Sequence, residues 1–82
     1  MPAGAAYIDA MRLIINGEPR DTAAASVAEL VAELGMKPDR VAVELNRKIA
    51  PRDSWAGTPL REGDELEIVH FVGGGTAAEF VN

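Results

Sequence analysis

One stretch of the chain, Ser26 to Leu34, carries the spacing of an amphipathic helix, and the other strong apolar signals all read as strands. Val27, Leu30, Val31 and Leu34 fall at i, i+3, i+4 and i+7, so they form a single apolar stripe, while Glu29 and Glu33 face water. Ser26 is placed to cap the helix N-terminus, Glu29 three positions on completes a capping box, and Gly35 offers a left-handed stop. A lone helix with one apolar stripe has to bury it against a sheet.

The strands follow from shorter patterns. Arg12-Leu13-Ile14-Ile15 is an aliphatic run that ends at Asn16-Gly17, the dipeptide that favours positive φ at both centres of a tight hairpin turn. The return strand is Glu18 to Thr22, and Pro19, which cannot donate to a ladder, marks it as an edge. Pro38 forbids continuation of the helix; Val41, Val43 and Leu45 then alternate with Ala42 and Glu44 as a half-buried strand ending at Asn46. The polar turn Arg47-Lys48 leads to Ile49 and to the punctuated run Pro51 to Trp55, read as a short strand plus a helical turn, with Trp55 capping the core. Leu60 to Asp64 is a turn. Glu65 to Val72 is the last strand, with Leu66 and Ile68 on one parity and Glu67, Val69 and Phe71 on the other. The predicted fold class is α+β: a mixed sheet of four to five strands with one main helix on one face, the first and last strands being central, parallel neighbours. That is the β-grasp, or ubiquitin-like, arrangement. Residues 1–10 read as a flexible leader, with Met11 as an alternative start, residues 11–75 as the folded domain, and residues 76–82 as a patternless, disordered extension.

The composition removes whole classes of function. A chain of 82 residues holds one domain and no second half with which to form a deep cleft. It has no cysteine, so disulfides, thiolate metal sites and Cys nucleophiles are absent together. Its single histidine, His70, makes neither a metal site nor a dyad alone and is assigned no catalytic role. A net charge of −5 disfavours nucleic acid and anionic membrane as partners. The first ten residues lack a basic region and a signal-peptide core, which points to the cytoplasm. No phosphate-binding loop, dinucleotide fingerprint, zinc-protease motif or nucleophile elbow occurs, so neither an enzyme nor a metal protein is expected. The acidic window Glu62-Gly63-Asp64-Glu65-Leu66-Glu67 reads either as a solvated turn or as a docking surface for a basic partner.

Gly73-Gly74-Gly75, directly after the last strand, needs a reason of its own. Glycines allow a chain to thread a narrow channel, or serve as a plain hinge before a tail. The run Val41-Ala42-Val43-Glu44-Leu45-Asn46, then Pro51-Arg52 with Trp55, then Leu60 through Gly75, resembles the ThiS family of sulfur carriers, over Met11 to Gly75. The resemblance implies a protein cosubstrate of thiamine (thiazole) biosynthesis. Its glycine carboxylate is adenylated by a ThiF-type, E1-like enzyme using ATP, converted to a thiocarboxylate with sulfur from a cysteine desulfurase, and used by a ThiG-type thiazole synthase. On that reading Gly75 carries the sulfur, Gly73 and Gly74 thread the partner's channel, and no cofactor is bound by the chain itself. Val69 and Phe71 would form an apolar docking patch with Arg52 and Glu62 as its polar rim, unless a bulge, or a strand covered on both faces, puts Phe71 in the core.

The sequence departs from the family at one place. Thr76 to Asn82 follow the glycines, and a Gly75 carbonyl held in an amide cannot be adenylated. The seven residues are then trimmed by a protease, are not native, or mark a protein that has left the carrier role. The alternatives are a carrier for molybdopterin, cysteine or tRNA thiolation, or a non-catalytic ubiquitin-like interaction domain that keeps its tail.

Overall fold

The computed structural model describes residues 10–72 and 77–80. Strand β1 (Met11–Ile15) turns into β2 (Glu18–Thr22), helix α1 (Val27–Glu33) follows, and β3 (Val41–Leu45) turns into β4 (Lys48–Ala50). The long β5 (Glu65–Val72) and a short β6 (Ala77–Phe80) complete the order, with 3₁₀ segments at Pro38–Arg40 and Arg52–Gly57. The sheet runs β2-β1-β5-β3-β4, with β6 added on β5. β1 and β5 are the parallel neighbours expected from the sequence, paired at Ile14↔Glu65 and Ile15↔Leu66. This is the β-grasp fold.

Local chemistry explains the turns. Asn16 and Gly17 adopt φ of 50° and 84°, the positive values a tight hairpin requires. The second hairpin turns on Asn46 and Arg47, with φ of 51° and 72°, one residue earlier than the expected Arg47-Lys48, because Asn accepts the left-handed region more readily than Lys. Helix α1 is capped by Ser26, whose hydroxyl accepts the Glu29 N–H at 3.2 Å. The Glu29 carboxylate reaches back one residue further than a capping box predicts, to the Ala25 N–H at 2.9 Å. The helix stops at Gly35 (φ 75°). There the Gly35 N–H donates to Ala32 and the Met36 N–H to Val31, the paired bonds of a Schellman stop.

The core lies between α1 and one sheet face. Leu13, Val27, Leu30, Val31, Val41, Val43, Leu66 and Ile68 are fully buried. Trp55 closes the open end of this layer as predicted, and its buried indole N–H donates to the Ala50 carbonyl at 2.7 Å. At the helix C-terminus the buried Thr22 hydroxyl donates to the Glu33 carboxylate at 2.6 Å, and Arg20 donates to the other oxygen at 3.0 Å.

The expected patternless tail is corrected over Ala77–Phe80. These residues pair antiparallel with β5 at Val69↔Phe80, His70↔Glu79, Phe71↔Ala78 and Val72↔Ala77. The physical reason is an edge left open: β1 accompanies β5 only at its start, β3 occupies the other side, and unpaired backbone groups at residues 69–72 are a template for another strand.

Candidate functional site

The two ends of β5 are built differently. At its start, the Asn16 side chain turns toward the strand from the first hairpin turn. Its oxygen accepts the Ile68 N–H at 2.8 Å and its amide nitrogen donates to the Ile68 carbonyl at 3.4 Å. Asn46 does the same from the second turn: its side-chain oxygen accepts the Glu65 N–H at 3.0 Å, and its amide donates to the Asp64 carboxylate at 3.0 Å. Asp64 in turn accepts the Arg61 N–H at 2.8 Å. Both asparagines sit at positive φ, which their short side chains tolerate and which aims them at the strand. The sequence reading took Asn16 and Asn46 only as turn and strand-end residues; Asn where two strands end was the available signal for these clamps.

At its far end β5 carries His70 and Phe71, both half-buried, with Val69 also half-buried on the face opposite the helix. Phe71 therefore sits neither in the core nor free in solvent. With His70 it borders a groove of about 550 Å³, lined also by Gly35, Met36, Lys37 and Arg40. Lys37 and Arg40 are functional candidates that sequence reasoning missed, since isolated basic residues on either side of Pro38 carry no motif.

Of the four predicted docking residues, three share this end. Arg52 shares this end of the sheet through β3, whose Val41 pairs with His70, but as a brace: it donates to the Pro38 carbonyl at 2.7 Å and the Val41 carbonyl at 3.0 Å, with its guanidinium 5.6 Å from the Trp55 ring centre. Glu62 is not brought to them. Its carboxylate accepts the Arg12 N–H at 2.9 Å near the start of β5, and a strand of this length separates the ends by roughly 23 Å. Gly73, Gly74 and Gly75 lie outside the described residues. Chain geometry alone keeps Gly75, four residues on, within about 14 Å of Phe71.

Among the described residues no His, Asp and Glu cluster is placed to hold a metal ion, and no helix is long and apolar enough to cross a membrane.

Comparison with known proteins agrees with this architecture. A thiazole synthase from Paramagnetospirillum magneticum is 48% identical over 67 residues, which are 80% of this chain and 21% of that protein. The chain thus spans about a fifth of that relative, and the same holds for a thiazole synthase from Magnetococcus marinus, at 20%. The sulfur carrier protein ThiS of Thermus thermophilus is 36% identical over 61 residues, covering 74% of this chain and 95% of the carrier. The crystal structure of the thiamine biosynthesis protein ThiS from Geobacter metallireducens superposes with a TM-score of 0.67 at 36% identity, over 79% of this chain and 100% of that one. The model of the ThiS family matches residues 13–75, from the first buried leucine to the last of the three glycines, and the chain belongs to that family.

Proposed function

We propose that this chain is the sulfur carrier for thiazole formation in thiamine biosynthesis, a protein cosubstrate with Gly75 as its reacting residue. The observation that carries this reading is the coincidence of a boundary: the family match ends at Gly75, at the end of the glycine run that follows the central strand of a β-grasp body. The chemistry requires a free carboxylate there. Hydrolysis of the Gly75–Thr76 peptide bond supplies it. The carboxylate oxygen then attacks the α-phosphorus of ATP on an E1-like partner, and pyrophosphate leaves. The acyl-adenylate is electrophilic where the carboxylate was not, so a hydrosulfide equivalent attacks the carbonyl carbon and AMP departs with the bonding electrons. The thiocarboxylate that remains passes its sulfur to a thiazole synthase. That two proteins named thiazole synthase contain a stretch similar to this chain supports that recipient over molybdopterin or tRNA thiolation partners. Gly73 and Gly74 serve as the thread, because a side chain would widen the section that enters the partner.

The test is the intact mass of the protein from its native cells grown without thiamine. The expected species ends at Gly75, with a fraction carrying one sulfur in place of oxygen; deletion of Gly75 removes that fraction. Only full-length protein ending at Asn82, unexchanged, overturns the carrier reading. One observation favours a second reading in that case: the paired strand Ala77–Phe80 suits a tail-retaining interaction domain.

A further inference from the structure

The groove at the tail end of β5 has a chemistry at odds with the rest of the molecule. The chain holds 13 acidic against 8 basic residues, yet among the described side chains no carboxylate lines this concavity of about 550 Å³. Its walls are apolar at Met36 and Phe71 and basic at Lys37 and Arg40, with His70 between. Arg12 and Arg20 are held in ion pairs with Asp21 and Glu33, whereas Lys37 and Arg40 are exposed and make no ion pair or side-chain hydrogen bond among the described residues. The Schellman stop at Gly35 and the 3₁₀ segment Pro38–Arg40 fix the backbone on either side of Lys37. The two cations are thus presented by a defined backbone at the rim of an apolar recess.

Position decides what meets this groove. Gly75 lies four residues beyond Phe71, so any protein that encloses the glycines approaches within about 14 Å of it, whatever path the glycines take. We propose that the groove of Met36, Lys37, Arg40, His70 and Phe71 is a docking site for a segment of the tail-receiving partner that presents an aromatic or aliphatic side chain flanked by carboxylates. The apolar side chain fills the recess between Met36 and Phe71, and the carboxylates meet Lys37 and Arg40 at its rim. Such rim charges act mainly on the rate of encounter and on orientation, and salt screens them. The identity of the partner rests on the carrier reading; the chemistry of the groove does not.

Two measurements separate these. In the first, the full chain labelled with ¹⁵N is titrated with the peptide acetyl-Glu-Asp-Phe-Leu-Asp-amide and, separately, with its counterpart carrying Lys at the three acidic positions. Amide shifts at Met36, Lys37, Arg40, His70 and Phe71 with the acidic peptide alone are expected. Shifts spread over the whole surface, or equal with both peptides, overturn the proposal. In the second, the full chain and the double variant K37E/R40E are compared for binding to the ThiF-type adenylating enzyme of the same organism, with K48E/R61E as a control at the opposite end. At least a tenfold rise in Kd for K37E/R40E at low salt, shrinking at high salt and absent in the control, is expected. Equal binding by wild type and K37E/R40E overturns the groove as the enzyme's docking site while leaving the carrier reading intact. Localised peptide shifts with no enzyme binding by the full chain overturn the adenylating enzyme as the groove's occupant; the carrier reading, which needs Gly75 freed first, is decided by the intact mass. Unchanged thermal unfolding of K37E/R40E shows that any loss is not a loss of fold.

Discussion

The first half of β5 is held from three sides, and the second half borders a groove. From Glu65 to Ile68 the strand is fixed by β1, by β3 and by two asparagine side chains reaching from separate hairpin turns. From Val69 to Val72 its partners are β3, which pairs as far as His70, and the short β6, and the side chains of His70 and Phe71 border a groove. One strand thus joins an anchored root to a working tip. For the proposed carrier role this division matters, because a tip on a loose root would be delivered to a partner at no fixed angle.

The largest effect that can break the comparison is at the root. Ile68→Ala removes a fully buried side chain beneath α1 and should cost about 2–5 kcal/mol in urea unfolding. Asn16→Ala comes next. It strands the Ile68 N–H without its acceptor and places alanine at φ 50°, together about 2–4 kcal/mol; Asn16→Gly should recover the backbone part and not the hydrogen bonds. If Asn16→Ala unfolds at the wild-type urea midpoint, the clamp is not what fixes the root.

The tip should respond more weakly in stability and more strongly in binding. Phe71→Ala, at a half-buried site, is expected to cost only about 1–2 kcal/mol while impairing association with the adenylating enzyme. A loss as large as that of Ile68→Ala would show the tip to be core after all.

The smallest effect is one of pH, and it touches neither end. The Thr22 hydroxyl lowers the pKa of the Glu33 carboxyl below its ordinary 4.5; partial burial opposes this, and Arg20 adds to the lowering. A carboxylate with a lowered folded-state pKa contributes stability that is present above about pH 4.5 and is lost as pH falls through the folded value. Glu33→Gln should therefore lower stability at pH 7 and flatten the acid limb below about pH 4.5, read by urea midpoints across pH. Amide exchange should show the loosening first between β2 and the end of α1, before β5.

Much of this was legible residue by residue. The alternation of Val41, Val43 and Leu45, the Asn16-Gly17 turn, the Ser26 cap and the stripe Val27, Leu30, Val31 are local patterns, and each one sits where its period places it. The glycine run and its resemblance to sulfur carriers were legible for the same reason: they are contiguous. Less legible was which residues would meet. Glu62 looked like part of a rim around Phe71 because both lie in the last third of the chain, but a strand is straight and carries its ends apart. Arg52 looked free for a partner and is occupied by two carbonyls and an indole face, which only the packing of the 3₁₀ segment against Pro38–Arg40 reveals. Lys37 and Arg40 had no visible role, because their significance depends on a strand end some thirty positions away.

The strand β6 makes the same point from the other direction. Thr76 to Asn82 has no strand pattern of its own, yet Ala77–Phe80 takes up extended backbone beside β5. The sequence by itself determined the secondary elements, their order and the glycine terminus of the family match, since periodicity, turn chemistry and capping act over a few residues. The tertiary structure alone decided the open edge of β5, the two asparagine clamps and the basic, apolar groove. Each of these depends on which backbone groups and side chains are left without a partner after the sheet has closed, a property no short stretch of residues possesses.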